Sequence, residues 1–134
     1  MTNFILHPRL AADGIFVTDW PLSRVLLMND RRFAWLVLVP RQPDLTELFD
    51  LDAQERAELI EETAKAGHRL KEWSKAAKIN IGALGNVVPQ LHVHVIARRP
   101  GDAAWPGPVW GAGKAVPYEM VEQARVVAEL KRIL

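Results

Sequence analysis

The chain has 134 residues, 49% apolar and 25% charged, ordinary values for a globular protein that can bury a core without cross-links. Seventeen Lys and Arg against sixteen Asp and Glu leave a formal charge of +1, which excludes a field able to hold a nucleic acid polymer or an anionic membrane by charge alone. The lack of cysteine excludes disulfides, thiolate metal sites and cysteine nucleophiles.

Met1 to Pro8 lacks a basic stretch followed by a long apolar core, and the densest apolar run, Ala34 to Val39, is far too short to span a bilayer. The cytoplasm is therefore the expected compartment. No repeat, low-complexity tract or linker divides the chain, so a single domain over 1–134 is expected.

Ile15 to Thr18 and Arg24 to Met28 are apolar or β-branched runs separated by Asp19-Trp20-Pro21, the pattern of two strands and a turn. Trp35 to Val39, stopped by Pro40, makes a third strand of an antiparallel meander. A long helix follows. Asp52 and Glu55 have the spacing of a capping box, and Leu59, Thr63, Ala66, Leu70, Trp73 and Ala77 recur at steps of three and four as a buried stripe. Glu58, Glu61, Glu62, Lys65, Lys71, Glu72 and Lys75 are expected on the solvent side, and His68 with them.

Lys78 to Ile81 reads as a short strand and Gly82 to Pro89 as a loop. Leu91 to Ala97 alternates strictly and is another strand. A loop rich in Pro, Gly and Trp runs from Pro100 to Pro117, and a final helix over Tyr118 to Leu134 carries a stripe of Val121, Ala124, Val127, Ala128 and Leu130. The order βββ-α-ββ-α predicts an α+β fold, an antiparallel sheet with helices packed against it.

Chemistry concentrates in Gln90-Leu91-His92-Val93-His94-Val95-Ile96. Strand alternation puts Gln90, His92 and His94 on one face, with Leu91, Val93 and Val95 on the other. One imidazole nitrogen can attack phosphorus covalently while its neighbour hydrogen-bonds the phosphate or assists the leaving group. The Gln90 amide is placed to orient a ring. Taken alone, His-x-His also fits a half-solvated face or two ligands of a zinc site, and zinc needs a third protein ligand. Nothing in the sequence places His7 near this strand, and Arg98 and Arg99 read as structural or solvated.

With its surroundings the motif says more. Asn80 through Ile96, then Arg99-Pro-Gly-Asp and Trp105-Pro-Gly-Pro-Val-Trp-Gly, resembles the C-terminal half of a histidine-triad (HIT) domain, whose signature is His-φ-His-φ-His-φ-φ with φ apolar. Leu26-Leu-Met-Asn29 and Trp35 to Pro40 are similar to that family's early strands.

The resemblance implies an antiparallel five-stranded sheet with one long central helix and a C-terminal helix. It implies a nucleotide hydrolase or transferase acting at the α-phosphate of anhydrides, esters or amidates, such as dinucleoside polyphosphates, through a nucleotidyl-histidine. By position, His92 takes the nucleophile's place and His94 the third histidine's, while Gln90 stands where the first histidine is found. Asn29 takes the ribose-binding position, and Asn80, Gly85 and Asn86 fall in the segment that approaches ribose and phosphates.

No metal or cofactor is implied, although a divalent ion can accompany a polyphosphate. A homodimer is implied, with the long helix and the strand near Ile79 at its contact. Other departures are Arg41-Gln42-Pro43-Asp44 in place of a further histidine, and Val87 where a hydroxyl residue is common. Three alternatives are a nucleotide-binding module with a weakened triad, a zinc hydrolase, and a structural protein. Trp105 and Trp110 are the tryptophans placed to border the site; the other three of five are expected to pack.

Overall fold

The computed structural model describes residues 3–134. A short helix α1 (Pro8–Asp13) leads into β1 (Gly14–Asp19), β2 (Ser23–Met28) and β3 (Trp35–Pro40). A single 3-10 turn (Leu48–Asp50) precedes the long helix α2 (Ala53–Ser74), then come β4 (Lys78–Gly82), β5 (Val93–Arg98) and α3 (Met120–Ile133). The strands form one antiparallel sheet in the order β1-β2-β3-β5-β4. β5, the last strand in sequence, is thus inserted between β3 and β4. The expected α+β architecture is the one observed, and no helix is long and apolar enough to cross a membrane among the described residues.

Both faces of the sheet are covered. On one, Leu59, Ala66 and Leu70 of α2 and Val126 and Leu130 of α3 pack on Val25, Leu27, Leu36, Leu38, Val93 and Val95. On the other, a smaller apolar cluster joins Leu10 of α1 to Leu26, Trp35, Val37, Val39 and Ile96, roofed by Val88 and Val109 from the loops. β5 is consequently buried at every position. His94 shares a face with Ile96, so the imidazole side of β5 is a second core and not an open polar surface.

α2 begins at the capping box read from the sequence: Glu55 N–H donates to Asp52 at 2.8 Å, and Asp52 N–H donates to Glu55 at 3.0 Å. Leu59, Thr63, Ala66 and Leu70 are buried as expected, but the helix stops at Ser74, with Lys75 left-handed at the cap, so Ala77 lies beyond it. Glu62 is a correction. It is buried, and its carboxylate accepts the backbone N–H groups of Leu22 and Ser23, both at 2.9 Å. The turn between β1 and β2 leaves those donors without strand partners, and a buried N–H must find an acceptor.

Three further expectations shift. α1 was not read from the sequence, although His7-Pro8 is a start signal: the His7 ring accepts from Arg9 N–H and Pro8 occupies a first-turn position. Of the stripe expected on α3, Leu130 is buried and Val127 packs on the core, but Val121 is exposed and the buried Val126 lies outside that stripe. The last strand starts at Val93, so His92 immediately precedes it. His68 is exposed as expected and pairs with Glu72 on its own helix.

Candidate active site

His92 and His94 reach the same side of the sheet with ring centroids 4.8 Å apart and planes at 71°. Both are buried. Two hydrogen bonds set their tautomers. His92 Nδ1 lies 2.6 Å from the backbone carbonyl oxygen of Gln90, which can only accept, so Nδ1 carries a proton and, in the neutral ring, Nε2 holds the lone pair. The Trp35 indole N–H can only donate, and it donates to His94 Nδ1 at 3.0 Å. His94 therefore presents Nε2–H as a donor. Burial, and secondarily the neighbouring His92, push the His94 pKa down to about 3, so the ring is neutral in the physiological range.

The orientation of His92 comes from the main chain of Gln90 and not from its side chain, which corrects the role expected for that amide. Gln90 Oε1 accepts from His7 N–H at 2.8 Å, and Gln90 Nε2 donates to the Ile5 carbonyl at 2.9 Å. His7, which the sequence left unplaced, is thus brought to the start of β5. Its ring faces α1 and not the imidazole pair.

Three clefts meet around these rings. One of about 330 Å³ runs between α2, β4 and the loop at 83–85, reaching Gln90, His92 and Val93. A narrower one of about 180 Å³ holds both imidazoles with Arg9, Leu10, Gly85, Asn86 and Trp110. The third, about 750 Å³, extends from His94 and Trp110 to Asn29, Asp30 and Arg32. His92 borders the first two and His94 the last two, so the pair marks the junction. Space on this scale accommodates a nucleotide.

Asn29 lines the largest cleft, but its carbonyl oxygen is already engaged by Tyr118 N–H at 2.9 Å; its NH2 group is the half left for a ligand. Gly85 and the exposed Asn86 line the narrow cleft, Gly85 with a φ of 74° that suits glycine. Asn80 is a correction: it does not line these clefts, and its side-chain oxygen accepts from Arg98 Nη1 at 2.8 Å.

Arg98 itself is buried, doubly bonded to Asp102 at 2.8 and 3.0 Å and set against the Phe33 and Trp105 rings. That pair holds Asp102 far below the usual carboxylate range. It ties the end of β5 to the loop that carries Trp110, while Trp105 serves the ion pair and not the cleft.

Trp110 borders the site as expected: its ring lies 5.3 Å from that of His94, and its indole N–H is buried without an acceptor among the described residues. Other contributors escaped the sequence reading. Asp30, 2% exposed, binds Arg32 at 2.8 and 3.0 Å and Val116 N–H at 3.3 Å. Burial pushes its pKa up, but Arg32 and the two backbone donors outweigh burial and hold it low. Nothing in the sequence hinted at the Asp30 pairing, because such loop contacts have no sequence period. No cluster of three His, Cys, Asp or Glu able to hold a metal occurs among the described residues, so the zinc alternative has no third ligand there.

A HIT-domain family model matches residues 9–101. The chain belongs to the HIT family. Three solved HIT proteins superpose over nearly their whole length. The one from Sinorhizobium meliloti is 50% identical, with 98% of each chain covered and a TM-score of 0.95. The one from Bradyrhizobium japonicum is 48% identical, with 97% of each covered and a TM-score of 0.93. The one from Marinobacter aquaeolei is 44% identical, covering 98% of this chain and 96% of that one, with a TM-score of 0.95.

An AP-4-A phosphorylase of Mycobacterium tuberculosis is 34% identical over 99 residues, 69% of this chain. The HIT chain spans about half the length of that relative.

Proposed function

We propose that this HIT protein cleaves nucleotide anhydrides, esters or amidates at the α-phosphorus, with His92 as nucleophile. The observation that carries the proposal is the His92 Nδ1 bond to the Gln90 carbonyl, which makes Nε2 the lone-pair nitrogen of the neutral ring beside a cleft. Attack by Nε2 forms a P–N bond as the P–O or P–N bond to the leaving group breaks, its electron pair departing with that group. Water then cleaves the nucleotidyl-histidine and releases a nucleoside monophosphate.

His94, neutral, donates from Nε2 to a phosphoryl oxygen, and loop N–H groups near Gly85 and Asn86 stabilise the added negative charge. Asn29 contributes its NH2 to a ribose hydroxyl. In this reading Gln90 stands at the first histidine's position of the triad. The role left to it is structural support of residues 5–7 together with its carbonyl bond to His92. Similarity to an AP-4-A phosphorylase supports a dinucleoside polyphosphate among the substrates. No observation favours the alternative of a triad that binds without turnover.

We also infer a homodimer built on β4. That strand is an edge of the sheet, with unpaired backbone groups on one side. Ile81 of β4 and the neighbouring Ile60 are 55% and 59% exposed. A two-fold pairing of β4 with its copy would satisfy the edge and cover these side chains.

The deciding experiment is rapid quenching with diadenosine tetraphosphate or an adenosine phosphoramidate, followed by mass spectrometry. An acid-labile adenylyl adduct on His92, absent in His92→Ala, is the expected result. Turnover that persists in His92→Ala would overturn the assignment.

A further inference from the structure

The nucleotidyl-transfer reading accounts for the imidazole pair but leaves the charge of the leaving group without a partner. A polyphosphate brings several negative charges into clefts where His94 is a neutral ring and the His92 Nδ1 is engaged by a carbonyl. Two cations line the clefts that hold His94, Arg9 and Arg32. Arg32 is committed: its Nε and Nη2 bind the Asp30 carboxylate, and its Nη1 binds the Ala112 carbonyl at 2.5 Å. Arg9 is not. Its one ionic partner among the described residues is Asp13, 3.5 Å from Nε, with both side chains more than half exposed. Such a pair contributes little, and its terminal nitrogens have no protein acceptor among the described residues.

Although the Arg9 side chain is loosely held, its backbone is not. Gln90 grips the preceding segment from both ends of its amide, through Ile5 and His7. The His7 ring in turn accepts from Arg9 N–H at 3.0 Å. Leu10 is sunk in the second core, and the Asp13 carbonyl accepts from Asn29 N–H at 2.9 Å. The segment from Ile5 to Asp13 is thereby fixed, and its Arg9, Leu10 and Asp13 line the narrow cleft together with His92 and His94.

We propose that Arg9 forms the subsite for the leaving phosphate chain and that Gln90 is its positioning residue, so that the preferred substrates are nucleoside polyphosphates and not amidates with an uncharged leaving amine. When the α-phosphorus moves to His92 Nε2, the electron pair of the broken P–O bond stays on the leaving phosphate. Arg9 exchanges its weak contact with Asp13 for a charge-assisted bond to that phosphate. Asp13 opposes the exchange and sets its strength.

The proposal rests on the reading of His92 given above, and binding measurements separate the two. ATP and AMP are titrated calorimetrically, without divalent ions, against the wild-type protein and three variants. Arg9→Ala is expected to weaken ATP roughly tenfold or more while changing AMP less than about twofold, since one charge-assisted bond is lost. Gln90→Ala should reproduce that selective loss, whereas a merely structural role would weaken both ligands alike. Asp13→Asn should tighten ATP.

Unchanged ATP affinity in Arg9→Ala, with AMP still bound, overturns the subsite and leaves the His92 reading standing. Selective ATP binding without a His92 adduct overturns the catalytic reading and leaves the subsite. Failure of the wild-type protein to bind either nucleotide overturns both.

Discussion

The Trp35 indole N–H points into the imidazole pair and donates to His94 Nδ1 at 3.0 Å. An indole cannot accept, so this one bond fixes the His94 tautomer and aims its remaining N–H at the cleft. Trp35 is itself fixed by β3, whose register pairs it with Ile96, two residues beyond His94. Phe33 meets it edge-on at 6.2 Å.

Trp35→Phe keeps an aromatic ring at the buried position but removes the donor together with part of the indole's volume. His94 Nδ1 is then left without a partner, and the ring is free to adopt either tautomer. Losing such a bond corresponds to about 1–3 kcal/mol, so kcat should fall roughly 5- to 150-fold with KM little changed. Steady-state kinetics checks the split; an unchanged kcat would mean that the tautomer of His94 is immaterial.

The same buried ring predicts an acid dependence of stability. His94 is held at about 3, well below its ordinary value of about 6.5. The unfolded chain therefore binds this proton more readily than the folded one between those limits. Its contribution is complete above about pH 6.5 and declines as the pH falls toward 3, by about 1.4 kcal/mol per unit at most. Urea unfolding from pH 7 to 4 should show a shallower decline in His94→Asn than in the wild type. Identical slopes would show that the proton is accommodated without unfolding.

The strand alternation that brought His92 and His94 together was legible because period-two geometry is local. The capping box of α2 was legible for the same reason. What was hidden depends on partners distant in sequence. Glu62 sits at a solvent-like position in the helical pattern, yet two turn N–H groups 39 and 40 residues away bury it. Gln90 was expected to face a ring, and its amide instead serves residues 5–7. Asn80 resembled a ligand contact but supports Arg98. The second core that buries the histidine face comes from α1 and the loops, whose sequences carry no hydrophobic period. His7-Pro8 was the one available sign of α1.

The Arg98–Asp102 pair offers a third test. Arg98 is 1% exposed, so removing its carboxylate strands a guanidinium in the interior. Asp102→Asn should destabilise the fold by about 3–5 kcal/mol, as breaking a buried pair does. Asn80→Ala removes only one of the three guanidinium contacts and should cost about 1–2 kcal/mol. Denaturant midpoints in the order wild type, Asn80→Ala, Asp102→Asn are expected. The reverse order would place the weight of the network on Asn80.

Gly82 closes the site from the far side. It pairs with His94 across β4 and β5, and a Cβ placed on it would stand 2.9 Å from the Trp110 Cη2 atom, with Cζ2 at 3.5 Å. A non-bonded pair of carbons does not tolerate that approach, so Gly82→Ala must push the indole outward. Trp110 lies edge-on to His94 and walls both clefts that contain it. The strand should survive, because an alanine suits extended backbone at least as well as glycine. The damage should fall on the cleft: lower affinity for AMP, with Tm nearly unchanged and altered tryptophan fluorescence reporting the displaced ring. An Ala variant with wild-type affinity and fluorescence would show that Trp110 yields without consequence, and that the wall it forms is not part of the binding surface.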